Sequence, residues 1–135
     1  MRKKIGLIIF LTSLYLLFSI ANAGHPVFEK VKIIALTGEQ SKINPACWFW
    51  EKHVSKDMMD FIFVVGYCKS DGSFILARIE GPQTVMLAFD GKGFFIFFLA
   101  FGQIVDVMAI TEERAIEFAE KYFEELDSFK LINKN

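Results

Sequence analysis

The chain of 135 residues is 53% hydrophobic and carries 16 Phe, which excludes a disordered or collagen-like polypeptide and fits a single domain. Its 15 Lys and Arg nearly balance 16 Asp and Glu, so it lacks the basic surface a general nucleic-acid binder needs to neutralise phosphates.

The N-terminus reads as an address. Met1-Arg2-Lys3-Lys4 is a positive head, residues 5–20 form an apolar run, and Ala21-Asn22-Ala23 places small residues before Gly24. This three-part pattern predicts a secretory signal peptide over 1–23, with one small exported domain over 24–135, periplasmic or extracellular. An uncleaved membrane anchor is the competing reading of the same run. Removal of the leader leaves 112 residues with 12 basic and 16 acidic side chains, a mildly acidic domain with a modest core. The exported compartment is oxidising, so Cys47 and Cys68 are expected to form a disulfide. The rival reading of Cys47 as a catalytic thiol beside His53 rests on proximity alone.

Residues 24–30 read as a lead-in and the β-branched run 31–37 as a strand ending at Gly38. Asn44-Pro45 resembles an N-cap followed by a first-turn proline, which predicts a short helix over 46–53 despite the strand preference of Trp48, Phe49 and Trp50. The apolar run 61–68 reads as a strand, Asp71-Gly72 as a hairpin turn, 74–80 and 84–89 as further strands, and Asp90-Gly91-Lys92-Gly93 as another turn. The run from Phe94 to Ile110 splits at Gly102 into two strands. As one helix its 17 residues would reach only about 25 Å and would bury Asp106, although a membrane-embedded subunit is the alternative. Thr111 caps a helix whose first turn holds Glu112 and Glu113, with Ala115, Ile116, Ala119, Tyr122, Phe123 and Leu126 forming an apolar stripe. The tail 128–135 reads as fraying. The expected fold is α+β: an antiparallel meander of about five strands covered by a C-terminal amphipathic helix. The continuous apolar strands imply cover on both faces, the second supplied by Trp48–Trp50, a second subunit or a ligand.

Motifs for catalysis are sparse. The chain has two histidines, His25 and His53. His25 reads as part of a disordered terminus. His53, with Asp57 or Asp60, is the candidate acid–base group of a small exported hydrolase, but matches no metal-ligand spacing, and no cofactor motif is present. The aromatic pair Trp48 and Trp50, with His53, forms the candidate surface for a partner or ligand. The expectation is a non-catalytic binding or accessory protein contacting another protein in the envelope or outside the cell: an inhibitor, an immunity-type partner or an envelope-complex subunit. A homo-oligomer is a further option, and membrane contact is the less favoured one.

Overall fold

The computed structural model describes residues 24–128, so the leader expected over 1–23 and nearly all of the tail lie outside the described residues. The first element is a helix, α1 (Pro26–Leu36), which corrects the lead-in and strand expected there. Two features outweigh the β-branched composition. His25 caps the helix, its Nδ1 accepting the Val27 N–H at 3.1 Å, and Pro26 takes the first helical position. Phe28, Val31, Ile34 and Ala35 recur at three- and four-residue spacing and are fully buried. His25 is therefore part of an ordered cap and not of a loose end.

Beyond α1 the chain passes tightly over its neighbour. A Cβ at Gly38 would collide with the Phe49 carbonyl, so glycine alone permits this crossing. A two-residue strand follows, β1 (Glu39–Gln40). Asn44-Pro45 makes a turn instead of opening a helix. The Asn44 Oδ1 accepts the Ala46 N–H at 3.2 Å, and its backbone carbonyl accepts the Cys47 N–H at 2.9 Å. The short helix expected over 46–53 is thus a correction as well. These residues begin β2 (Cys47–Lys56), where the bulky aromatics sit on a pleated surface and pair along the whole of β3 (Met59–Cys68).

Four more strands complete the sheet: β4 (Phe74–Glu80), β5 (Gln83–Phe89), β6 (Phe94–Ala100) and β7 (Gln103–Ile110). All pairings are antiparallel and the spatial order is the chain order, β1 to β7. The meander is as expected, with seven strands in place of about five. The run from Phe94 to Ile110 is two strands, and no described helix is long and apolar enough to cross a membrane. Two of the hairpins use two-residue loops with both residues at positive φ, Asp57-Met58 (49° and 64°) and Phe101-Gly102 (53° and 79°). That left-handed geometry matches the twist of the flanking strands.

The helices cover one face. α1 packs on β2, β3 and β4, while α2 (Glu112–Tyr122) and the short α3 (Glu125–Ser128) complete the layer, with α2 reaching β6. Thr111 caps α2 as expected, accepting the Arg114 N–H at 3.2 Å. Its stripe buries Ala115, Ala119, Phe123 and Leu126. The cover is therefore shared, and α1 holds the centre. The Phe28 ring lies 5.1 Å from both Phe74 and Phe94, and Phe63 stacks on Phe123 at 5.9 Å. Much of the Phe excess is this aromatic core, worth more per residue than aliphatic burial because ring pairs add to area removed from water.

Candidate functional site

Strand register sorts every side chain to one face. Across the helix-covered face run Val65, Leu76, Leu87, Ile96 and Met108, each opposite the next. Across the other face run Val64, Ala77, Met86, Phe97 and Val107 in the same way. Sheet alternation normally puts polar residues on an uncovered face. Here the second face is apolar from Phe49 and Ile62 through Phe95, Phe97 and Leu99 to Val107, and no described helix lies on it. Phe49, Ile62 and Val107 are exposed. Glycine shapes this face at one point: a Cβ at Gly66 would lie 2.5 Å from the Phe49 ring, which occupies that space.

The structure separates the aromatic triplet. Trp48 and Trp50 alternate with Phe49, so both tryptophans point to the helix side. The Trp50 ring meets Phe63 edge-on at 5.9 Å, and the Lys69 Nζ sits 4.8 Å over the Trp48 ring. Neither tryptophan covers the second face, which removes one of the three covers expected for it. The Cys47–Cys68 disulfide is present and joins directly opposed residues at the start of β2 and the end of β3.

His53 and Asp60 come together on the second face, Nε2 to Oδ1 at 2.6 Å, with both side chains about two-thirds exposed (65% and 67%). Asp57 sits apart, in the turn between β2 and β3. A general base needs a reacting group within hydrogen-bond reach and an environment that tunes it. Among the described residues no hydroxyl or thiol is hydrogen-bonded to His53, and no cluster of three His, Cys, Asp or Glu could hold a metal. The pair is a polar contact between two exposed side chains in open solvent, worth little to stability.

Two features escaped sequence reasoning. The first is Arg78, the charged member of the helix-covered face of β4. Its guanidinium stacks 3.8 Å from the Phe61 ring centre and 5.0 Å from that of Tyr122, and Nη1 donates to the Tyr122 carbonyl at 3.3 Å. Burial raises the Tyr122 phenol above its ordinary range, with Arg78 opposing the shift. The second is a groove of about 490 Å³ between α2 and the β6–β7 end of the sheet. Ile96, Phe98, Met108 and Ile110 form its floor, and Phe118 and Tyr122 its wall, with Arg114, Glu117 and Lys121 at the rim. It exists because α2 stops at β6, leaving β7 bare. The i, i+3, i+7 spacing of Arg114, Glu117 and Lys121 is the only sequence trace of that rim.

Comparison of the chain with protein families, with characterised proteins and with solved structures finds no match.

Proposed function

We propose that this is a small exported binding or accessory protein that works by contact with another protein and not by catalysis. The observation that carries the reading is the second sheet face. An apolar surface spanning several strands is costly to leave in water, at about 25 cal/mol per Å². Large exposed apolar patches mark sites of contact, with proteins, membranes or ligands, and we take a protein as the partner here. Such a face would serve an inhibitor, an immunity-type partner or an envelope subunit. Export is supported by the leader pattern over 1–23 and by the Cys47–Cys68 bridge, since disulfides persist in oxidising compartments.

The test joins localisation to contact. The full chain is expressed in its own cells with a photoreactive residue at Phe97 on the second face, or at Lys92 in the β5–β6 turn as control. The expected result is a processed chain beginning at Gly24, found outside the cytoplasm and cross-linked to a protein from Phe97 only. An unprocessed cytoplasmic chain, or identical products from Phe97 and Lys92, would overturn the reading.

A further inference from the structure

The two ends of the sheet are unlike. At one end β1 is two residues long and polar. At the other β7 is eight residues long, seven of them exposed, including Ile104, Val105, Val107 and Met108. Long apolar edges invite strand pairing and are normally blunted with Pro, Lys or a short length. β7 has neither Pro nor Lys. Its devices are one extra residue, where the register shifts between Phe98 and Leu99, and one acid, Asp106.

Backbone direction can be read from that acid. The Val107 N–H donates to the Asp106 Oδ1 at 2.9 Å, so it points away from β6. By the two-residue alternation of an antiparallel ladder, Ala109 points the same way. Both residues offer an N–H and a C=O to an incoming strand. We propose that β7 is the seam of a symmetric homodimer with its two-fold axis at Met108. Val107 of one copy exchanges backbone hydrogen bonds with Ala109 of the second, and Ala109 with Val107. The proposal deepens the protein-contact reading and rests on it, naming a second copy as one partner.

Charge selects both the occupant and the register. An axis at Asp106 would set two carboxylates face to face. An axis at Met108 sets Asp106 opposite Ile110 of the second copy, and separates the two carboxylates by about 14 Å at 3.4 Å per residue. That exceeds the screening length of about 8 Å at physiological salt. Ile110 and Arg114 line the same groove. Asp106 therefore approaches Arg114 of the second copy, and neither makes an ion pair within its own chain among the described residues. Pairing also moves the Val107 N–H onto the new strand, which frees the Asp106 carboxylate for that contact. Met108 is part of the groove floor, so the two grooves join across the axis over a pair of methionines. The seam is narrow beside the roughly 800 Å² per partner of a standard interface, so association is reversible and depends on concentration.

The exported full chain is purified and its mass followed by sedimentation across the micromolar range. The expected result is a monomer–dimer equilibrium. Under mild oxidation Met108→Cys cross-links to itself, because directly opposed Cα atoms lie about 4.5 Å apart in such a pair. Val107→Cys does not, being offset by two positions. Asp106→Arg weakens the dimer at least about tenfold, and adding Arg114→Asp in the same chain restores it. A wild-type chain monomeric throughout the range overturns the seam. So does a dimer that cross-links equally from Val107→Cys, or one indifferent to Asp106→Arg. A monomer that still gives the Phe97-specific cross-link overturns the seam alone and leaves the protein-contact reading standing.

Discussion

Ile33 and Ile34 are adjacent, chemically identical, and opposite in their surroundings: Ile34 is 0% exposed and Ile33 44%. Truncation to Ala removes three carbons from each. At Ile34 the lost transfer energy is about 2.4 kcal/mol at 0.8 per CH₂. A cavity term raises the total into the range of about 2–5 kcal/mol, because α1 is held on the sheet by Phe28 and Val31 as well and cannot collapse into the gap. At Ile33 about half the side chain is already in water, so the loss is about 1 kcal/mol. The higher helix propensity of Ala offsets part of that, by a few tenths of a kcal/mol. That gain is common to both positions, so the difference is at least about 1 kcal/mol, or roughly 4 °C in Tm for a domain of this size. Thermal unfolding followed by circular dichroism measures it directly. In a strand, Ile33 would share a face with Val31 and Ala35, and the order of the two variants would reverse. Equal Tm values for Ile33→Ala and Ile34→Ala, or the reversed order, would refute the helix-on-sheet account of this segment.

Three further outcomes are expected. Removing the Cys47–Cys68 bridge, which closes a separation of 21 residues, lowers stability by about 3 kcal/mol in denaturant titration, and intact mass shows the native chain two hydrogens below its reduced formula. Gly38→Ala drives a methyl into the Phe49 carbonyl, a backbone atom that cannot step aside. It costs more than about 1 kcal/mol by the same titration, whereas Gly72→Ala, whose Cβ would meet nothing, shows only the smaller strain of positive φ. The carboxyl of Asp71 is held below its ordinary range by the Ser73 N–H and hydroxyl, and that of Asp90 by the Lys92 and Gly93 N–H groups. A depressed folded-state value means stabilisation that is complete above the unfolded value and lost as pH falls through the folded one. The Asp71→Ala/Asp90→Ala double variant therefore lowers Tm at neutral pH, and its Tm falls less steeply than that of the wild type on the acid side of the ordinary carboxylate range.

Much of the sheet was legible because its signals are local. Asp71-Gly72, Gly81-Pro82, Asp90 to Gly93 and Gly102 punctuate apolar runs, and β4 falls on the expected residues 74–80. Phe74, Leu76 and Arg78 share one side of β4 and lie opposite Phe89, Leu87 and Val85. The Thr111 cap was legible for the same reason, whereas the disulfide followed from two cysteines and the leader pattern at the far N-terminus. The first third was not. In α1 the spacing of Phe28, Val31, Ile34 and Ala35 competed with a β-branched composition, and burial against β3 and β4 decided it. At β2 the Asn44-Pro45 pair serves a turn as readily as a cap. The loop at Asp57-Met58 carries no glycine to announce its left-handed backbone. Of the candidate surface, the demand for cover on the second face was visible in the continuous apolar runs. The rotation of Trp48 and Trp50 to the helix side depends on β2 being a strand, so it could not be seen while that segment read as a helix.

The strictly sequential strand order has a kinetic consequence. Each hairpin from β2 to β7 closes over a short loop, so most of the sheet forms between near neighbours in the chain, at little cost in loop-closure entropy. Contact order is low for an all-antiparallel sheet of seven strands, which favours rapid folding. The exception is α1, which emerges first and whose apolar side waits for β3 and β4, some thirty residues downstream. During synthesis from the N-terminus the helix that anchors the core is therefore the last described element from the N-terminal half to find its seat, and the interval before it docks is when the chain is most open to aggregation.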